Sequence, residues 1–151
     1  PLVSQLRAAG VDVPVIGQEG YDGEMFIKIA GAAAEGVIIT TSLDRDSTEP
    51  LAQAFIQGFQ KKSGYPADMV SASTHTAVLV LAEAMKQVDP SDKAALRDAI
   101  ASTSINAATG HISFNKLGEV RKSVQVQVVR DGGWHHFAVI SDPVLLAPPE
   151  E

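Results

Sequence analysis

The side chains best suited to chemistry lie in one glycine-rich stretch, Gly17-Gln18-Glu19-Gly20-Tyr21-Asp22-Gly23. Glu19 and Asp22 are carboxylates that could hold an ammonium group, and Tyr21 offers a ring that could pack on a ligand. Asp22 also precedes a helical pattern that begins near Glu24, which favours a role as helix N-cap. Glu19 has no such local role. Its carboxylate faces either water, the more common case, or the cationic group of a ligand.

A second polar group opens the long apolar pattern of residues 71–88. Its members are Ser71, Ser73, Thr74, His75 and Thr76. A single histidine in such a turn is more often solvated or hydrogen-bonded as a cap than part of a site. The residues alone therefore give His75 no assigned function.

Apolar runs flank the glycine-rich stretch and predict the elements that position it. Val11–Ile16 lacks polar alternation, which predicts a short parallel strand buried on both faces. Residues 36–41 predict a second strand. Ligands of open α/β sheets bind beyond the carboxyl ends of the strands, which is where this stretch lies.

Helical spacing predicts four further helices around these strands. The first covers residues 2–9, and another is capped by Ser47 and buries Leu51, Phe55 and Phe59. The helix over 71–88 is so apolar that we expect it to be deeply buried. Ser91 is expected to cap the helix that follows.

The C-terminal third predicts strands instead. Thr109–Phe114 forms one, and alternation places Gln125 and Gln127 on the exposed face of the next. Asp131-Gly132-Gly133 predicts the hairpin turn to a strand over 134–140. Residues 141–151 are expected to be a frayed tail.

Composition narrows the function. The chain has 151 residues, a net charge of −6 and no cysteine. The acidic balance argues against nucleic acid as a partner, because phosphate binding needs a basic face. There is no phosphate-binding glycine motif and no nucleophile elbow, and the adjacent His135 and His136 of a strand point to opposite faces. Neither catalysis, a metal nor a cofactor is expected.

The order of several stretches resembles the C-terminal half of type I periplasmic binding proteins, in particular the leucine/isoleucine/valine-binding family of ABC importers. No single motif is diagnostic, but their spacing covers nearly the whole chain. The stretches that carry the resemblance are 5–10, 15–22, 29–37, 52–55, 109–115 and the turn at Asp131-Gly132.

The resemblance implies an α/β fold of the periplasmic-binding-protein type I class, in incomplete form. The expected parts are a parallel-sheet α/β lobe, segments of a second lobe and a C-terminal β-hairpin. Residues 1–64 would belong to the C-terminal lobe, residues 65–122 would complete the N-terminal lobe, and residues 123–140 would return as the hairpin. The helix at Pro1 lacks a preceding strand, so we expect a fragment of a larger protein that self-associates.

The resemblance also implies a site and partners. Glu19 stands where the family holds the α-ammonium of an amino acid, and His75 stands at or near a cleft position that is often tyrosine. Tyr21 and Asp22 are secondary ligand-binding candidates. The groups for the ligand carboxylate are expected in the half of the family fold that this sequence lacks.

The implied function is an exported solute-binding component, periplasmic or extracellular and membrane-anchored. It would deliver a branched-chain or related amino acid to the permease of an ABC importer. The alternative is a ligand-sensing domain of a receptor or transcription regulator with the same fold.

Overall fold

The computed structural model describes residues 1–146, which form six α-helices and seven strands. The helices are α1 (Leu2–Ala8), α2 (Glu24–Ala30), α3 (Pro50–Ser63), α4 (Met69–Met85), α5 (Lys93–Ser102) and α6 (Pro143–Leu146). The strands are β1 (Ile16–Gly17), β2 (Ile38–Thr41), β3 (Ile105–Ala107), β4 (Gly110–Phe114), β5 (Val120–Arg121), β6 (Val124–Arg130) and β7 (Gly133–Ile140). The expected tail thus begins with a short helix, and residues 147–151 lie outside the described residues.

The strands form two sheets. One has the order β1-β2-β6-β7, with β1 and β2 parallel and the other two pairs antiparallel. The other has the order β3-β4-β5 and is antiparallel throughout. The α/β character predicted from the sequence is confirmed, but parallel pairing is confined to the two short strands that flank the glycine-rich stretch.

Two apolar clusters lie under these elements. The larger cluster packs α1 and the segment before β2 against the β6–β7 hairpin. Its buried members are Val3, Ala34, Val37, Ile39, Val129 and Trp134. The smaller cluster consists of Leu43, Ala67 and Ala72, against which Phe55, Ile56 and Phe59 of α3 pack.

The predicted hairpin turn at Asp131-Gly132 is confirmed. Asp131 and Gly132 have φ values of 51° and 74°, so both central residues of the turn are left-handed. A two-residue turn of this kind matches the twist of antiparallel strands, and Asp-Gly is a preferred pair for it. The turn therefore fixes the register that places His135 and His136 opposite Val128 and Gln127.

The predicted buried strand over Val11–Ile16 is wrong. Only Ile16 and Gly17 pair, and Val13 and Ile16 are 63% and 74% exposed. The Arg7 guanidinium donates hydrogen bonds to the carbonyl oxygens of Val11 and Val13, at 2.6 and 2.9 Å. Those backbone groups are thus satisfied by a side chain instead of a neighbouring strand, and β1 stays at the edge of its sheet.

Two of the predicted helix caps are also wrong. Glu49 is the N-cap of α3, and the Ser47 hydroxyl accepts the backbone N–H of Glu49 at 3.2 Å instead. Asp92 caps α5 by accepting two backbone N–H groups at 3.0 Å, which displaces Ser91 from that role. Ser47 lies two residues before the N-cap of α3, and Ser91 lies one residue before the N-cap of α5. Neither serine therefore occupies the capping position.

The buried faces of α3 and α4 differ from expectation. On α3, Phe55 and Phe59 are partly buried, but Leu51 is exposed and Ala52 takes the inward position. On α4, only Ala72, Thr76, Val80 and Ala84 are buried, while several large apolar side chains face solvent. The exposed ones are Val70, Val78, Leu79, Leu81 and Met85. The helix is therefore only partly covered by the described residues.

Candidate functional site

The glycine-rich stretch folds as a tight turn directly after β1. Residues Glu19–Tyr21 form one turn of 3-10 helix, closed by the Tyr21 N–H donating to the Gln18 carbonyl at 3.0 Å. The Tyr21 ring lies over Gly17, where a Cβ atom would overlap it. Glycine is thus required at position 17 for the ring to turn inward. Glu19, on the other side of the turn, is exposed.

The Glu19 carboxylate makes no hydrogen bond or ion pair with any of residues 1–146. The negative charge of Glu19 nevertheless acts on Lys122, which directly follows β5. Burial lowers the pKa of Lys122, and the attraction of Glu19 opposes that effect without cancelling it. The Lys122 ammonium donates a hydrogen bond to the Ser42 hydroxyl, at the end of β2. Glu19 is therefore an available carboxylate at the carboxyl ends of β1 and β2.

Tyr21 faces the core more than the solvent. Its ring centroid lies 4.9 Å from that of Phe26, which in turn lies 5.8 Å from Trp134. The ring also lines a cavity of about 340 Å³ formed by residues 16–18, 20 and 21. Tyr21 thus links the turn that carries Glu19 to the larger apolar cluster.

Asp22 is only 2% exposed and does not cap the helix that follows it. Gly23 is the N-cap of α2 and no side chain serves there, so the predicted cap is wrong. One carboxylate oxygen of Asp22 accepts Arg45 Nη1 at 2.7 Å, and the other accepts the backbone N–H of Met69. Both oxygens are used, because a buried carboxylate is costly unless it is paired.

His75 lies on α4, apart from the other three candidates. Its ring is exposed and packs against the ring of Phe55 of α3 in a tilted arrangement, with centroids 4.9 Å apart. Among residues 1–146 no hydrogen bond or ring contact joins His75 to Glu19, Tyr21 or Asp22. The structure thus gathers three of the predicted site residues in one turn and leaves His75 on a neighbouring helix.

Sequence reasoning missed a polar network beside this turn. Gln127 is 0% exposed, although alternation predicted an outward side chain. Its Oε1 accepts Arg45 Nη1 at 2.8 Å, and its Nε2 donates to Asp44 at 3.3 Å. The only sequence signal is the isolated cation of Arg45 between two aspartates, which gives no hint of a buried partner 82 residues away.

The two adjacent histidines are held by the loop between β2 and α3. His136 Nδ1 donates to Asp44 at 2.8 Å, and His135 Nδ1 donates to Asp46 at 3.1 Å. No three His, Cys, Asp or Glu side chains within residues 1–146 are placed to hold one metal ion. The two pairs therefore act as separate contacts between the loop and β7.

An apolar cavity of about 380 Å³ lies between α4 and the second sheet. Val80 and Leu81 of α4 face Ile112 and Phe114 of β4 across it, with Lys122 at its edge.

In the part of the chain that the structure describes, no helix has the length and apolar character to cross a membrane.

Comparison with known proteins identifies the family to which this chain belongs. A family model described as periplasmic binding protein matches residues 1–133. The leucine-, isoleucine-, valine-, threonine- and alanine-binding protein of Pseudomonas aeruginosa is 26% identical over 120 residues, which are 80% of this chain and 32% of that protein. The Leu/Ile/Val-binding protein of Escherichia coli K12 is 24% identical with the same coverage. The chain thus spans about a third of the length of these relatives.

Solved structures agree. A leucine-binding protein from Thermotoga maritima superposes with a TM-score of 0.86 at 28% identity, covering 95% of this chain and 41% of that one. A substrate-binding protein of a branched-chain amino acid transporter from Streptococcus pneumoniae, solved with isoleucine, gives 0.80 at 23% identity, with 92% and 40% covered. The expected incomplete type I fold is confirmed. The chain belongs to the periplasmic binding protein family.

Proposed function

We propose that this chain forms part of the solute-binding component of an ABC importer. The component binds a branched-chain or related amino acid in a cleft between two lobes and delivers it to the membrane permease. Two of the relatives are named as binding proteins for leucine, isoleucine and valine among their ligands, and a third as a leucine-binding protein. We propose binding without catalysis, no cofactor, and export to the periplasm or cell surface.

The observation that carries this proposal is the carboxylate of Glu19, which has no partner among residues 1–146. It is exposed on a turn at the carboxyl end of a parallel strand, where ligands of such sheets bind. Neighbouring Asp22 is already neutralised by Arg45, so Glu19 is the free negative charge of this turn. An α-ammonium group that meets Glu19 in a closed cleft gains a charge-assisted hydrogen bond, which contributes about 1.5–3 kcal/mol.

The other candidates take different roles in the proposal. The exposed ring of His75 forms one wall of the cleft, supported from behind by Phe55. Tyr21 contributes the base of the turn through its packing on Phe26. Asp22 has no oxygen left for a ligand and acts on the site from beneath.

We propose that the two lobes divide as the sequence suggested. Residues 1–64 and 123–140 contribute all strands of the four-stranded sheet, and residues 65–122 contribute α4, α5 and the three-stranded sheet. The chain passes from one group to the other between α3 and α4, and returns between β5 and β6. These two passages are the proposed hinge segments, and domain closure about such segments is a common way to enclose a ligand.

The experiment is calorimetric titration of leucine, isoleucine, valine and alanine into a chain that carries both walls of the cleft. We expect saturable binding that Glu19→Gln weakens about ten- to a hundredfold. Glu24→Gln is the matched control, because Glu24 is an exposed glutamate on the adjacent helix and loses the same charge. Equal affinity in the wild type and Glu19→Gln, for every amino acid bound, would remove Glu19 from the site.

A further inference from the structure

We propose that Asp22 and Arg45 are positioning residues that hold the Glu19 turn and the start of α4 in one fixed relation. The side chains of Glu19 and His75 are thereby brought to face the same ligand. This inference rests on the proposed function, since it takes those two residues as ligand contacts. The Asp22 network is defined here as Asp22, Arg45, Gln127 and the backbone N–H of Met69.

Asp22 joins segments that are distant in the chain. Its carboxylate accepts from Arg45, 23 residues away, and from the Met69 backbone N–H, 47 residues away. Arg45 belongs to the loop after β2, whereas Met69 is the first residue of α4. One buried carboxylate therefore connects the four-stranded sheet to the helix that carries His75.

The Met69 N–H is a donor that α4 cannot satisfy by itself. The capping box of the helix pairs the Asp68 carboxylate with the Ser71 N–H at 2.8 Å, and the Ser71 hydroxyl with the Asp68 N–H at 3.0 Å. That arrangement serves the third residue of the helix and leaves the first one free. A carboxylate at this end of a helix is also favoured by the helix dipole.

Arg45 fixes Asp22 at two points. Nη1 donates to the carboxylate at 2.7 Å, and Nη2 donates to the Asp22 carbonyl oxygen at 2.8 Å. The Asp22 N–H in turn donates to the Glu19 carbonyl at 3.0 Å. Because Gln127 holds the same guanidinium from inside β6, the position of the Glu19 backbone is tied to the sheet.

The consequence for the site is geometric. His75 lies six residues after Met69, about 9 Å along the axis of α4. When Asp22 loses its charge, its hydrogen bonds to Arg45 and to the Met69 N–H are both weakened. When Arg45 is removed, the Asp22 carboxylate becomes a buried charge without its cation. In either case α4 is no longer held against the Glu19 turn, and the His75 ring moves with the helix.

The test uses NMR on the 151-residue chain without ligand. Asp22→Asn and Arg45→Met are compared with Arg97→Met, which removes an arginine–aspartate pair of the same 2.7 Å length on the exposed face of α5. Two quantities are measured, namely hydrogen exchange of the Met69 amide and the orientation of α4 relative to β6 and β7 from residual dipolar couplings. The first reports the hydrogen bond and the second reports the positioning.

We expect Asp22→Asn and Arg45→Met to speed exchange of the Met69 amide about tenfold or more and to reorient α4. Arg45→Lys keeps the charge but loses the two-pronged contact, so it changes both quantities in the same direction by less. Arg97→Met leaves both at their wild-type values.

A folded Asp22→Asn variant with an unchanged orientation of α4 would overturn the proposal, even if its stability fell, since lower stability alone does not move a helix. If Asp22→Asn and Arg45→Met do not fold, Arg45→Lys decides, and wild-type values of both quantities in that variant overturn the proposal. Because no ligand is present, this outcome is independent of the Glu19→Gln titration.

Discussion

The imidazole of His135 donates a hydrogen bond from Nδ1 to Oδ2 of Asp46 at 3.1 Å, joining β7 to the loop between β2 and α3. The same oxygen accepts the backbone N–H of His136 at 2.8 Å. Burial raises the pKa of Asp46, but these hydrogen bonds and the charges of both imidazoles lower it by more. The pKa of Asp46 therefore lies below its ordinary value of 3.8.

Because the pKa of Asp46 is lowered in the folded state, the free energy of unfolding falls as the solution becomes more acidic. The ionised Asp46 stabilises the fold above pH 3.8, and that contribution is lost as the pH falls through the lowered pKa. We expect Asp46→Asn to reduce the change in unfolding free energy between pH 6 and pH 3, as measured by urea denaturation. Asp12→Asn is the control, since Asp12 is exposed. An equal reduction in both variants would contradict the assignment.

Gln127 and Gln125 provide a matched pair two residues apart on β6. Gln127 is fully buried with both ends of its amide bonded to charged groups, so Gln127→Leu should lower the unfolding free energy by about 1.5–3 kcal/mol. The buried Oε1 of Gln125 has no partner among residues 1–146, so Gln125→Leu should change it by less than about 1 kcal/mol. Urea denaturation of both variants checks this, and equal losses would contradict it.

The hydroxyls of Thr76 and Thr109 lie 3.0 Å apart and are both buried, which joins α4 to the turn between β3 and β4. Either single substitution by valine leaves one buried hydroxyl without its partner and should cost about 1–3 kcal/mol. The double substitution removes both and should cost less than the sum of the single ones. A double-mutant cycle on unfolding free energy measures the difference, and simple additivity would show that the hydroxyls do not interact.

Three exposed apolar side chains of α4, Val78, Leu81 and Met85, follow the spacing of one helix face. Such a face favours association between copies of this chain. We expect the 151-residue chain to form oligomers whose mass rises with concentration in light-scattering chromatography, and Leu81→Lys to reduce that mass. Leu117→Lys, an isolated exposed leucine in a turn, serves as the control. A wild-type chain that stays monomeric at every concentration would contradict this.

Local signals were enough to predict most elements of the fold. The Asp131-Gly132 turn depends on residues close in sequence, and its prediction is confirmed. Of the predicted stripe on α3, Phe55 and Phe59 pack inward as expected, but Leu51 is exposed. The cap predictions at Ser47 and Ser91 failed by one or two residues, whereas other failures depend on distant partners. Asp22 looks like a cap for the next helix, but it binds Arg45 and Met69 instead, and nothing in its neighbourhood indicates that choice.

The residues of the site also divide into those that local sequence predicts and those that depend on distant partners. Glycine spacing marks the Glu19 turn, and the overlap at Gly17 explains why glycine is needed there. The burial of Gln127 and the partial burial of Lys122 could not be predicted, because amide and ammonium side chains are normally solvated. Their partners are distant in sequence, since Gln127 contacts the loop after β2 and Lys122 contacts Ser42.

The central claim is that Glu19 binds the ammonium group of an amino acid. It is tested most directly by comparing leucine with 4-methylpentanoate, which is leucine without its amino group. Affinities of both are measured by calorimetry for a chain with both walls of the cleft, with and without Glu19→Gln. We expect the wild type to prefer leucine by about ten- to a hundredfold and Glu19→Gln to lose most of this preference. An undiminished preference for leucine in Glu19→Gln would contradict it.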